Sequence, residues 1–128
     1  MKIVKILLYT TIVLEGGIAI LCWFFPSYLK FISALQPLHG ENTPKMLLAM
    51  YGSAALLPVA ISFWALREVP GSTQRNGLII LLILFHTLLS LSQFIYNPDA
   101  RAGSLHLLIA AGLSSGWKKE KDLNNKSN

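Results

Sequence analysis

The stretch ILLYTTIVLEGGIAILCWFF, residues 6–25, decides the fold, because it is apolar over a bilayer's width and carries one ionisable group, Glu15. A membrane-spanning helix needs about 20 predominantly apolar residues. A carboxylate near the centre of such a helix is costly unless it faces protein, water or a binding partner. Glu15 is therefore the first candidate functional residue if the chain is a membrane protein.

The composition is that of a membrane protein. Of the 128 residues, 53% are hydrophobic and only 13% are charged, whereas roughly a quarter are charged in soluble domains. The mean hydropathy is +0.52. Backbone polar groups in lipid must pair within the protein, which leaves helices or a closed barrel. Continuous apolar segments favour helices over the alternating pattern of barrel strands.

Four apolar segments predict an all-α, membrane-spanning, up-down four-helix bundle. The fourth is shorter than the usual span of about 20 residues. The segments are residues 6–25, 46–66, 77–96 and about 102–117. Prolines and polar residues between them mark the ends. We expect residues 1–117 to form a single membrane domain and residues 118–128 to form a polar, disordered cytoplasmic tail.

The basic residues predict the orientation of the bundle. Eight lie on one side of the predicted spans and three on the other; the majority set is Lys2, Lys5, Arg67, Arg75, Lys118, Lys119, Lys121 and Lys126, and the minority set is Lys30, Lys45 and Arg101. The positive-inside rule places both termini in the cytoplasm. This explains the net charge of +5 through topology and the lipid bilayer, without a nucleic-acid partner.

The N-terminus resembles a signal peptide in its basic and apolar regions but carries no small-residue cleavage pattern, so we retain it as a span. The absence of a retention or transit signal favours a plasma or inner membrane. The first outer loop, residues 26–45, contains SYLKFISALQPL, which predicts a short helix in the membrane interface. We expect this helix to cover the bundle end, with substrate gating as the alternative.

Polar and small residues recur at helical spacing within the predicted spans. Residues at i−4, i+4 and i+7 share a helix face, which places Thr11, Ala19 and Cys22 beside Glu15. The third span presents His86, Ser90, Gln93 and Asn97, and the fourth presents Gly103, His106, Ala110 and Ser114. The second supplies consecutive small residues that permit close helix approach, Gly52, Ser53, Ala54 and Ala55. The simplest arrangement that shelters these faces is a bundle with a partly polar interior.

The candidate ligand-binding or intramembrane polar cluster comprises Thr11, Glu15, His86, Ser90, Gln93 and His106. Counting residues along each span predicts two polar layers. One holds Glu15 with His86 near the midplane, and the other holds Gln93 with His106 nearer the exterior. The competing interpretation is that these side chains only bridge helices, which stabilises membrane bundles by about 0.6–2 kcal/mol per contact.

No metal or cofactor is expected from the sequence. His39, His86 and His106 are predicted at different depths, and the chain has no HxxxH pattern. The single cysteine excludes an internal disulfide, and no motif of nucleophilic catalysis is present. We therefore assign no catalytic residue.

The apolar segments MYGSAALLPVAISFWAL, LLILFHTLLSL and RAGSLHLLIAAGL, with a proline ending the first span, resemble the DoxX-like group of four-helix membrane proteins. That group contains relatives of quinone-linked oxidoreductase subunits and membrane chaperones, so the resemblance implies a fold but no catalytic residue. Glu15 also occupies a place similar to the membrane-embedded glutamate of small multidrug-resistance transporters. The third span, however, lacks the tryptophan and the glycine-rich pattern of those transporters.

Three functions remain open. The favoured one is a small integral membrane protein that binds a hydrophobic or lipidic small molecule, or serves as an accessory to a membrane-protein partner. The second is proton-coupled transport by a homodimer through Glu15. The third, less favoured, is a membrane-embedded enzyme with Glu15 and His86 as its acid–base pair.

Overall fold

The computed structural model describes residues 2–32, 45–96 and 100–127. These residues form a short 3-10 helix, Pro26–Phe31, and four α-helices: α1 (Lys2–Phe24), α2 (Lys45–Arg67), α3 (Thr73–Tyr96) and α4 (Ala100–Ser127). The all-α prediction is confirmed. Half of the predicted interfacial helix, residues 33–38, lies outside the described residues, and residues 27–31 of it belong to the 3-10 helix.

Three of the described helices, α1, α2 and α3, are long and apolar enough to cross a membrane. Large apolar side chains are exposed along them, including Val13, Leu57 and Leu88. α4 has a polar C-terminal part but also exposes apolar side chains such as Leu108. An apolar exterior over this length fits lipid rather than water, since large exposed apolar patches are rare on soluble monomers.

The helices form an antiparallel bundle. α1 packs chiefly against α2 and α3 against α4, while α2–α3 and α1–α4 contacts close the arrangement. α1 and α2 are antiparallel. Cys22, near the end of α1, lies against Gly52, whereas Gly16, earlier in α1, faces Val59, later in α2. The order is therefore up-down, as predicted.

α1 buries the stripe that its sequence pattern indicates, whereas α2 buries only two of its four predicted small residues. In α1 the buried residues are Val4, Leu8, Thr11, Glu15, Ala19 and Cys22, at the three- and four-residue spacing of one helical face. In α2, Gly52 and Ala55 are buried as predicted, whereas Ser53 and Ala54 are exposed. An apolar core formed by Leu8, Leu82 and Leu113, among others, fills one half of the bundle.

The predicted disordered tail is instead helical. α4 continues through Ser127, and Glu120 is buried at 3% exposure. The reason is an ion pair. Glu120 receives hydrogen bonds from Arg75 Nε at 3.1 Å and from Arg75 Nη2 at 3.2 Å, a bidentate geometry that holds the end of α4 against the bundle.

The Arg75 side chain, from α3, also caps the C-terminal end of α2. Its Nη1 donates to the carbonyl oxygens of Ala65 at 2.9 Å and Glu68 at 3.2 Å, which α2 leaves without helical partners at its C-terminal end. Gly71, with φ of 83°, makes the intervening turn in the left-handed region that glycine adopts readily. One guanidinium thus joins α2, α3 and α4 at a single point.

Small residues on α4 allow α1 to approach closely. A Cβ atom at Gly116 would lie 2.5 Å from Val4 Cγ2, and one at Gly112 would lie 2.7 Å from Leu7 Cδ1. Both distances are under 3.0 Å, so an added methyl group would displace Val4 or the flexible end of the Leu7 side chain. Gly116 is the more constrained position, because the β-branched Val4 side chain has little freedom to move away.

We expect Gly116→Ala to destabilise the bundle by about 1–3 kcal/mol through overpacking. The control is Gly77→Ala, at an exposed α3 position where an added Cβ meets nothing within 4 Å. That substitution should be neutral or stabilising, since alanine is the better helix former. Thermal unfolding midpoints in one detergent compare the two variants, and equal midpoints would contradict the close approach.

Glu120→Ala should lower the free energy of unfolding by about 3–5 kcal/mol, because it leaves the buried Arg75 charge without its partner. Asp122→Ala removes an exposed carboxylate two residues away and should change stability by less than about 0.5 kcal/mol. Thermal unfolding in detergent measures both. If the two variants unfold together, the α4 extension does not depend on the ion pair.

Candidate functional site

Three helices bring polar side chains to one buried position in the bundle. α1 supplies Thr11 and Glu15, one turn apart on its inward stripe, while α3 supplies His86 and α4 supplies His106. All four are buried, from 0% exposure for Thr11 and His86 to 5% for His106. We call Thr11, Glu15, His86 and His106 the polar cluster.

The polar cluster is a chain of close contacts centred on His86. Thr11 Oγ1 lies 3.0 Å from His86 Nε2, and His86 Nδ1 lies 2.9 Å from His106 Nδ1. The two imidazole rings are 22° from parallel, with centroids 5.2 Å apart. The contacts join α1, α3 and α4 through side chains alone.

The two imidazoles cannot both present lone pairs to each other at this distance. Either His86 or His106 carries a proton on Nδ1, or a cation lies between the two nitrogens. If His86 donates from Nδ1, its Nε2 accepts from the Thr11 hydroxyl. If His106 donates, His86 takes the other tautomer and donates from Nε2 to Thr11 Oγ1. The direction of the hydrogen-bond chain thus depends on the state of His106.

Glu15 lies at the far end of this chain. Its Oε1 is 3.8 Å from His106 Nδ1, which is too long for a hydrogen bond. This oxygen has no hydrogen-bond partner among the described residues, although the side chain is only 2% exposed. A buried polar atom of this kind requires an explanation in an otherwise satisfied site.

Ser90 and Gln93, the other predicted site residues, lie outside the polar cluster. Ser90 Oγ donates to the Gly103 carbonyl oxygen at 2.8 Å and bridges α3 to α4. The Ser90 hydroxyl is thus engaged with the α4 backbone. Gln93 is half-buried and lines a cavity that also reaches His106.

The predicted separation of His106 from Glu15 and His86 is wrong. His106 contacts His86 directly and lies beside Glu15, so these residues form one layer. The reason is the register of the α3–α4 hairpin. The Ser90–Gly103 contact sets this register near the turn that connects the two helices. His86 faces His106 one helical turn further away from that connecting turn. The sequence predicted that His86 and His106 lie at different depths and therefore cannot share a metal ion. The structure places them at the same depth, so this objection does not apply to these two histidines.

A cavity of about 460 Å³ lies beside the polar cluster. Its wall is mainly apolar and includes Leu14, Gly17 and Leu105, while polar groups come from Tyr51, Gln93, Arg101 and His106. We call it the His106 cavity, because His106 belongs to both the cavity and the polar cluster. The sequence analysis missed Tyr51 and Arg101. The signal for Tyr51 was its place beside Gly52 on the inward side of α2.

Comparison of the chain with protein-family models, curated proteins and solved structures finds no match. The interpretation of the site therefore depends on its own geometry.

We expect Thr11→Val to destabilise the bundle by about 1–2 kcal/mol, because it leaves a buried His86 nitrogen without a partner. Thr10→Val is the matched control, since Thr10 is exposed and its hydroxyl bonds only to the Ile6 carbonyl of its own helix. Thermal unfolding of both variants in one detergent measures the difference. Equal midpoints would mean that the Thr11–His86 contact adds nothing to stability.

Proposed function

We propose that this protein is a small integral membrane protein that binds an amphipathic small molecule in the His106 cavity. The observation that carries the proposal is that one histidine belongs both to a mainly apolar cavity and to a buried polar cluster. The ligand's apolar part would lie against Leu14 and Leu105. Its polar head, such as a carbonyl or hydroxyl group, would meet the imidazole of His106.

The size and lining of the cavity support this class of ligand. Small-molecule sites are typically about 300–1,000 Å³, mostly apolar, with a few polar groups that fix orientation. The His106 cavity, at about 460 Å³, has this character. An acyl or isoprenoid chain suits the apolar wall, whereas a strongly charged soluble metabolite does not.

The proposed topology places all four helices across the membrane, with both termini in the cytoplasm. The apolar half of α4 completes the fourth span, and the Arg75–Glu120 pair lies at the cytoplasmic end with most of the basic residues. The His106 cavity then lies towards the outer end, where Ile32 follows the 3-10 helix and joins the lining. A short interfacial helix in the first outer loop would cover this end.

The resemblance to DoxX-like proteins is compatible with this proposal, since some of that group resemble subunits of quinone-linked oxidoreductases. An accessory subunit of another membrane protein can also bind a ligand, so this role remains part of the proposal. Proton-coupled transport and acid–base catalysis receive less support, because both require a substrate at Glu15, whereas the cavity wall includes His106 and not Glu15.

Filling the cavity tests the proposal. An added Cβ at Gly17 meets nothing within 4 Å, and Gly17 lines the cavity, so Gly17→Leu should occupy it without disturbing the helices. Mass spectrometry of organic extracts from protein purified in mild detergent should find a small hydrophobic molecule with the wild type. We expect Gly17→Leu to reduce its amount at least about tenfold, a loss of about 1.4 kcal/mol in binding.

Gly77→Leu is the matched control, since Gly77 is also open to an added side chain but is exposed on α3. This variant should keep the bound molecule. Equal retention by the wild type and both variants would place any bound molecule outside the cavity, and extracts containing only bulk lipid and detergent would contradict ligand binding.

A further inference from the structure

We propose that Glu15, His86 and His106 bind a divalent first-row transition-metal ion of the zinc or ferrous class. Each residue offers one ligand atom, and these atoms lie within 4.8 Å of one another. The ligands come from three different helices, α1, α3 and α4. This inference does not depend on the small-molecule function proposed above.

The ligand set suits such an ion. Two imidazoles with one carboxylate form a common three-ligand set for catalytic zinc and for non-haem ferrous iron, and both leave positions for water or another ligand. Calcium and magnesium prefer oxygen ligands and fit poorly beside two nitrogens. The chemistry of the cluster therefore selects the transition metals.

The distance between the imidazoles matches shared ligation. Two nitrogens, each about 2.0–2.1 Å from one ion, lie about 2.9 Å apart at the angle of about 90° of octahedral coordination and about 3.3 Å apart at the tetrahedral angle of about 109°. The observed separation of His86 Nδ1 and His106 Nδ1 is 2.9 Å. Glu15 Oε1, at 3.8 Å from His106 Nδ1, comes into the same shell by a rotation of its carboxylate.

A metal ion explains more of the site than a proton does. A proton between the two Nδ1 atoms satisfies the histidines but leaves Glu15 Oε1, a buried oxygen, without a hydrogen bond. A cation at this point engages all three groups at once. The two possibilities differ in the role of Glu15, which is why this residue is central to the test.

Thr11 is the positioning residue for His86. With Nε2 protonated, His86 donates to Thr11 Oγ1 across 3.0 Å, which leaves Nδ1 unprotonated and directed at the other ligands. Metal-binding histidines commonly donate their second nitrogen's proton to an oxygen in this way, which fixes the tautomer and ring orientation. The ion would reach the site through the His106 cavity, because His106 lines it.

The test uses the full chain, purified in detergent without chelator and then supplied with Zn²⁺ or Co²⁺. Elemental analysis by mass spectrometry should find about one ion per chain after dialysis. The cobalt form should show visible absorption bands of nitrogen- and oxygen-ligated Co²⁺. We expect Glu15→Gln, His86→Asn and His106→Asn each to weaken affinity at least about tenfold.

Glu68→Gln is the matched control for the carboxylate, since Glu68 lies beyond the end of α2 and accepts a hydrogen bond from Trp64. It should bind the ion as the wild type does. The wild type's thermal midpoint should rise with added Zn²⁺, and that of Glu15→Gln should rise less. Circular dichroism checks that each variant is folded.

Two results would overturn the proposal. One is a wild type that retains no Zn²⁺ or Co²⁺ and shows no thermal shift with either ion. The other is equal affinity in Glu15→Gln and the wild type, which would place the ion elsewhere. If a histidine variant fails to fold, Glu15→Gln still decides the matter, because its amide keeps the size of the carboxylate.

Discussion

The need of every buried polar group for a partner governs this bundle. Its exterior is apolar along α1, α2 and α3, so polar side chains pointing inward have only each other and the helix backbones to contact. The Arg75–Glu120 pair meets this need at one end, where the guanidinium bonds to one carboxylate and to two backbone carbonyl oxygens. The polar cluster meets it only in part, since one oxygen of Glu15 has no hydrogen bond. Ser62, Asn76 and Trp117 also carry a buried polar atom without a hydrogen-bond partner among the described residues. The polar cluster differs from these positions because three possible metal ligands lie within 4.8 Å of one another there.

The Arg75–Glu120 pair and the polar cluster both connect α3 to α4. Together with Ser90 they define the register of the α3–α4 hairpin. Ser90 bonds to Gly103 near the connection, His86 meets His106 one turn further on, and Arg75 pairs with Glu120 at the opposite end. A slide of one helix along the other would break all three contacts at once. The contact between His86 and His106 thus has support from residues outside the polar cluster, as the side chains of a preorganised site require.

The sequence predicted the helices and their inward faces because period and hydropathy are local properties. Thr11, Glu15, Ala19 and Cys22 share one buried stripe as their spacing indicated. The pairing of His106 with His86 was not predictable from residue counts, since the exact register of two helices depends on the hairpin connection. Glu120 was missed for another reason. Charged residues beyond a span are normally solvated, and nothing local to the KKEKD segment shows that a buried arginine 45 residues earlier is its partner.

The placement of Glu120 also has a consequence for biosynthesis. Arg75 is made 45 residues before its carboxylate partner, so α2 and α3 are synthesised while that guanidinium still lacks Glu120. Its bonds to the α2 carbonyls can form at once, and they shelter part of the charge while α4 is being made. The Arg75–Glu120 contact can form only after Glu120 has left the ribosome. Until then the chain lacks the ion pair that fastens α4 to the ends of α2 and α3.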